Sequence, residues 1–119
     1  MKPEKKFENK VRDFLKSSNC YFLKTWGNGV QRSGVPDLLI CCNGYFVGCE
    51  LKADNGTAKD LQKWNIKKIM LTGGIAVILY PDDYEKFIEL LRCLHRDEWD
   101  SATKIADEIN KGRIDYYDL

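Results

Sequence analysis

The sequence predicts an α/β chain, with helical layers packed on a mixed central sheet in the order αβββαβαα. Three observations carry that expectation. Asn43-Gly44 stands between two apolar runs, and a two-residue hairpin turn needs positive φ at both positions, which Asn and Gly tolerate. Ile75 to Tyr80 is a continuous apolar run, the pattern of a buried parallel strand. The segments around these strands repeat their apolar residues at helical spacing, and strands alternating with helices build an α/β/α layered arrangement.

Residues 4–17 form the expected first helix, with Phe7, Val11, Phe14 and Leu15 on one face and Pro3 suited to its start. At 100° per residue Glu8 falls beside Leu15, at the edge of that face. Glu4 projects toward the same side one turn earlier, and either is equally well a solvated flank residue. Cys20 to Trp26 is aromatic-rich and bounded by Ser17-Ser18-Asn19 and Gly27-Asn28-Gly29, so it reads as the first strand. Gly27 to Gly34 is a loop carrying Gln31, Arg32 and Ser33 into the second strand. Pro36 holds Val35 extended there without donating a ladder bond.

In the hairpin, one face carries Leu38, Ile40, Val47, Cys49 and Leu51, and the other Leu39, Cys41, Phe46 and Gly48. Both faces are apolar, which predicts a sheet covered on two sides. Asp54-Asn55-Gly56 is a turn, Thr57 an N-cap, and residues 58–71 the second helix, with Ala58, Leu61, Ile66 and Ile69 inward and Gln62 in the middle of that arc. Gly73-Gly74 stops it. The next strand returns by a right-handed crossover. Pro81-Asp82-Asp83 opens a third helix, Trp99 to Ile109 marks a fourth, and the tail from Arg113 is acidic and aromatic with no predicted element.

With 119 residues the chain suffices for one domain with its own core. Its composition, 44% hydrophobic and 31% charged, predicts a soluble globular protein. No apolar run approaches the ~18 residues of a membrane span, and the basic start lacks the apolar core of a signal peptide. Five cysteines without a CxxC pair predict reduced thiols in a cytoplasm. A net charge of +1 excludes a strongly basic nucleic-acid coat but not a local basic groove.

The hairpin also predicts a chemical site. If Asn43 and Gly44 are the two loop residues, Asp37 falls opposite Glu50, with Cβ atoms about 4.5–5.5 Å apart. Like charges so placed repel, which implies a cation shared by both. Lys52 follows on the face that Glu50 occupies. Hard divalent cations prefer oxygen ligands, and Mg²⁺ or Mn²⁺ on two carboxylates beside a lysine suits metal-assisted hydrolysis of a phosphodiester. The plainer alternative is a structural ion-pair cluster at the end of a sheet.

Pro36-Asp37 followed by Glu50-Leu51-Lys52 resembles the motif of the PD-(D/E)XK nucleases. Gly34-Val35-Pro36-Asp37-Leu38, Gln62 on the next helix, and Glu8 with Val11 and Leu15 on the first resemble the VRR-NUC (virus-type replication-repair nuclease) group more closely. The resemblance covers about residues 4–80. It implies a restriction-endonuclease-like α/β/α core there (αβββαβ, mixed central sheet), with added C-terminal helices over 81–119 in a single domain 1–119. It further implies that Asp37, Glu50 and the Leu51 carbonyl bind the metal, and that Lys52 is the catalytic lysine. Glu8 would touch the metal directly or through water, and Gln62 would support the substrate or the lysine.

Small members of this group are often viral, form homodimers and cut branched DNA such as four-way (Holliday) junctions. The expectation is therefore a Mg²⁺- or Mn²⁺-dependent DNA endonuclease and homodimer, working in bacterial or phage-infected host cytoplasm, without a membrane partner. RNA as substrate stays open, and so does a non-catalytic nucleic-acid-binding or assembly module on the same fold. Lys24, Arg32, Lys59 and Lys63 are weaker candidates for phosphate contact, the lysines of the second helix being equally a solvated face. One histidine and no paired cysteine spacing speak against zinc. Cys41, Cys42 and Cys49 read as small buried apolar residues, and His95 as a cation near a helix C-terminus. Trp64 and Trp99 are either interface residues or ordinary half-buried ones.

Overall fold

Asn43 (φ 53°) and Gly44 (φ 85°) both take positive φ and close a two-residue turn between β2 (Leu38–Cys42) and β3 (Tyr45–Leu51). The antiparallel register runs from Leu38 opposite Cys49 to Cys42 opposite Tyr45, as the turn predicts. The computed structural model describes residues 1–26 and 34–115. β1 (Cys20–Lys24) lies antiparallel to β2, and β4 (Ile75–Leu79) lies parallel to β3, giving a mixed sheet in the order β1-β2-β3-β4. Among the described residues four helices complete an α/β fold: α1 (Pro3–Ser17), α2 (Asp60–Leu71), α3 (Tyr84–His95) and α4 (Trp99–Asn110). No helix among the described residues is long and apolar enough to cross a membrane.

The two sheet faces differ. One places Leu38, Ile40, Cys42, Val47, Cys49, Leu51, Val77 and Leu79 in a large core with Phe7, Val11 and Leu15 of α1 and the apolar sides of α3 and α4. The other face is roofed by α2 through a smaller cluster of Ala58, Ile66, Ala76 and Ile78. Gly48 lets α2 come down there, since a Cβ at that position would stand 3.0 Å from Ile69 Cδ1 and 3.3 Å from Pro36 Cγ. The outer edge of β4 is closed by Asn110, fully buried at the end of α4. Its Oδ1 accepts from the Ile78 N–H at 3.0 Å and its Nδ2 donates to the Ala76 carbonyl at 2.9 Å. Arg113 adds a bond to the Ile78 carbonyl (3.2 Å) and one to Asp83 (2.6 Å), so the edge offers little to a further strand.

Several expectations are corrected. The second face is covered only in part: Tyr21 (67% exposed), Leu23 (54%) and Phe46 (47%) face outward, with Cys41 also exposed. A helix about 10–12 Å across roofs roughly two strands spaced about 4.8 Å apart, and α2 spends that width on β3 and β4. The helix starts at Asp60 rather than at residue 58, with Lys59 rather than Thr57 at the N-cap, and Leu61 is exposed. The first strand ends at Lys24, two residues before Trp26. Pro81–Asp83 forms a 3₁₀ turn ahead of α3, secured by Asp83 Oδ2 accepting from the Tyr80 N–H at 3.0 Å.

Candidate functional site

At the open end of the hairpin the backbone directs three charged side chains together. Asp37 lies one residue before β2, and its Oδ2 accepts from the Leu51 N–H at 2.8 Å, which ties the entry of β2 to the end of β3. Glu50 alternates with Cys49 and Leu51, so it points to the α2 side of the sheet, where it is only 2% exposed. The Lys52 N–H donates to the Leu79 carbonyl at 2.9 Å, which carries the extended chain past β3. That keeps Lys52 on the Glu50 face, with Nζ 3.4 Å from Glu50 Oε2.

Glu50 carries the decisive detail. Its second oxygen, Oε1, is buried and has no hydrogen-bond partner among the described residues. Burial, reinforced by the Asp37 charge and opposed by Lys52, pushes its carboxyl up to about 8. An unpaired buried polar atom costs about 1–3 kcal/mol, and more when charged. Two convergent carboxylates with one oxygen unsatisfied are the hard donor set that Mg²⁺ or Mn²⁺ takes, so the residues present fit such an ion.

The other predicted residues are placed differently. Glu8 is buried on α1, but cations already occupy both of its oxygens: Lys24 Nζ on Oε1, and Lys5 Nζ (2.9 Å) and Arg12 (3.4 Å) on Oε2. Burial raises its carboxyl, and Lys24 and Lys5 together outweigh that, holding it below the ordinary carboxylate value. Lys24 stands opposite Leu38 in the ladder, which puts the Glu8–Lys24 pair on the α1 side of the sheet, whereas Glu50 points to the α2 side. None of Glu8's hydrogen bonds among the described residues reaches Asp37, Glu50 or Lys52. Lys24 also lies 5.1 Å from the centre of the Trp26 ring, so it is engaged on two sides.

Gln62 turns back on its own helix, its Oε1 accepting from the Lys59 N–H at 2.9 Å. Lys59 is exposed at the start of α2. Lys63 lines a cleft of about 580 Å³ with Asp60, Trp64, Lys67, Arg113 and Asp115, and neither acidic residue of the Asp37–Glu50 pair borders it. The Leu51 N–H serves Asp37, as described above. Arg32 lies outside the described residues. Trp64 is exposed, and Trp99 stacks on Tyr45 with ring centroids 5.3 Å apart.

A second cluster forms at the opposite end of the hairpin. Cys20 opens β1, Cys42 closes β2 directly across from it, and His95 ends α3. Their ligand atoms all lie within 4.8 Å of one another. A hydrogen bond from Cys42, opposed by burial and aided by Ser18 and His95, draws the Cys20 thiol down to about 6. Its bond to Cys20, and then burial, keep Cys42 protonated far above the ordinary thiol value. The chain carries no local sign of this cluster: its members are 22 and 53 positions apart, and zinc was not expected from cysteine spacing. Only the β1–β2 register and the docking of α3 bring them together.

Comparison of the chain with protein-family models, with curated proteins and with solved structures gave no match.

Proposed function

We propose that the protein is a divalent-metal-dependent nuclease that hydrolyses DNA phosphodiester bonds, with Asp37, Glu50 and Lys52 at its active site. The observation that carries this reading is the buried Glu50 Oε1, without a hydrogen-bond partner among the described residues, beside a second carboxylate and a lysine. The likeness of Pro36-Asp37 and Glu50-Leu51-Lys52 to the VRR-NUC motif supports it independently.

Asp37 and Glu50 would hold Mg²⁺ or Mn²⁺. When bound, such an ion supplies Lewis-acid charge to a phosphate and acidifies water. Asp37 is held at the end of β3 by the Leu51 N–H, which donates to its Oδ2. Glu50 retains a proton near neutrality until positive charge arrives, and then gives it to solvent. Lys52, with its side chain 12% exposed, is fixed near Glu50 and presents a cation to phosphate charge developing at the site. Within the reading, branched DNA is the substrate favoured by the family likeness and a homodimer the favoured assembly.

The test is cleavage of fluorescent linear, flap and four-way DNA with and without Mg²⁺. Metal-dependent cutting that disappears in Lys52→Ala is expected. Cutting undiminished in that variant would sink the assignment.

One observation favours a second reading, a non-catalytic nucleic-acid-binding or assembly module. Lys24, Lys5 and Arg12 spend their charge on Glu8 instead of leaving it for phosphate. Titration with Mn²⁺ in a calorimeter separates the two: binding that is lost in Asp37→Asn supports the nuclease, and no binding by the native protein supports the module.

A further inference from the structure

We propose that Cys20, Cys42 and His95 form a zinc site, with three protein ligands and a fourth position open to solvent. Geometry is the first support. Cys20 Sγ lies 3.6 Å and Cys42 Sγ 3.4 Å from His95 Nε2. Zn–S bonds of about 2.3 Å and Zn–N bonds of about 2.0–2.1 Å at tetrahedral angles separate sulfur and nitrogen by about 3.5 Å. Side chains already at that separation need little movement to share one ion.

The scaffold is the second support. Cys20 and Cys42 are direct partners across an antiparallel ladder, and both point to the same side of the sheet. Both thiols are free, so the pair can share an ion. His95 arrives from the last turn of α3, where the helix dipole favours positive charge. The Cys42 thiol donates to the Leu91 carbonyl at 3.6 Å, so β2 already ends against that turn of α3; zinc would replace this bond when the thiol gives up its proton.

Exposure is graded across the three: Cys42 is fully buried, Cys20 half-buried and His95 exposed. The fourth position therefore opens outward beside His95. Ligand type selects the metal. Two thiolates and an imidazole suit Zn²⁺ and are poor ligands for Mg²⁺ or Mn²⁺. On binding, the thiol protons pass to solvent and two thiolates balance the charge of the dication. The ion would clasp the end of α3 to the β1–β2 pair. None of these residues belongs to the Asp37–Glu50–Lys52 cluster, so this proposal does not depend on the nuclease reading.

The test uses Co²⁺ as a spectroscopic stand-in on the reduced full chain. One equivalent is expected to produce thiolate-to-metal charge-transfer absorption and visible d–d bands of tetrahedral intensity, both displaced by one equivalent of Zn²⁺. Because Cys42 is buried, the decisive variant is His95→Gln, whose side chain is exposed. It should weaken binding by more than about 100-fold, beyond what loss of an outer-shell partner costs. Cys20→Ser should abolish most of the charge-transfer band, while Cys41→Ser, on the opposite sheet face, and Asp37→Asn should leave the spectrum unchanged. Absence of the bands in the native protein overturns the proposal. So do bands that survive His95→Gln and Cys20→Ser, which would mark a thiol–imidazole hydrogen-bond cluster only.

Discussion

The two ends of the β2–β3 hairpin make opposite use of the same strands. At the open end, Asp37, Glu50 and Lys52 gather oxygen and ammonium groups, with Glu50 on the α2 side of the sheet. At the turn end, Cys42 joins Cys20 and His95 on the side packed by α1, α3 and α4. Cys42 lies five positions along the chain from Asp37, about 17 Å at 3.4 Å per residue. Among the described residues the open end leaves a buried carboxylate oxygen unsatisfied, whereas every ligand atom at the turn end already has a partner. The difference teaches that burial alone does not mark a site. What marks one is a buried polar group whose partner is missing, or donors already spaced for a shared ion.

The contrast is open to test, beginning with the largest expected effect. Lys52→Ala should lower the rate of DNA cleavage by about 10²–10⁴-fold, the usual range for a positioned proton-transfer or charge-stabilising group, with Mn²⁺ affinity little changed. Single-turnover kinetics and calorimetry together check this. Next, the metals should separate by site. Asp37→Asn should abolish measurable Mn²⁺ binding and spare the Co²⁺ spectrum, and His95→Gln should do the reverse. A single variant that destroyed both would merge the two ends into one cooperative unit.

A smaller effect lies in stability without metal. Glu50 is held at about 8 against an ordinary 4.5, so between those values the folded protein carries more proton than the unfolded chain. Its contribution is therefore lost as pH rises through that window. Glu50→Gln, with chelator present, should raise the melting temperature at pH 8 by about 4 °C or more and change it little at pH 5. Thermal melts at the two pH values decide this, and a Tm at pH 8 that stays the same or falls would show that Glu50 is satisfied without a cation.

Glu8 should behave in the opposite sense. Its carboxyl is held below the ordinary value, so its ion pairs add stability above that value and lose it as pH falls. Glu8→Gln should cost about 1–3 kcal/mol at pH 7, less in acid, by urea unfolding. A loss of cleavage in Glu8→Gln far beyond that explained by its stability would return Glu8 to the catalytic end.

Much of the fold was readable from the chain because its signals are local. Asn43-Gly44 set both the turn and the register, and the register placed Asp37 near Glu50 and kept Lys52 on the same face. The apolar run from Ile75 likewise announced a buried parallel strand, and helical spacing announced α1, α3 and α4. Details that depend on packing area were not readable. Alternation suggested two apolar sheet faces, but the width of α2 left Tyr21, Leu23 and Phe46 outward.

The chain alone thus specified one end of the hairpin and was silent about the other. A turn of defined length transmits register residue by residue along its own two strands, so Asp37 and Glu50 meet by counting. Cys20, Cys42 and His95 meet through a separate strand pairing and a helix docked 53 positions later, and neither has a local signal. The same holds for Glu8, whose helical phase was clear from the sequence but whose partner was not. It meets Lys24 rather than Asp37 because α1 packs on the opposite side of the sheet from Glu50, and only tertiary packing chooses the side.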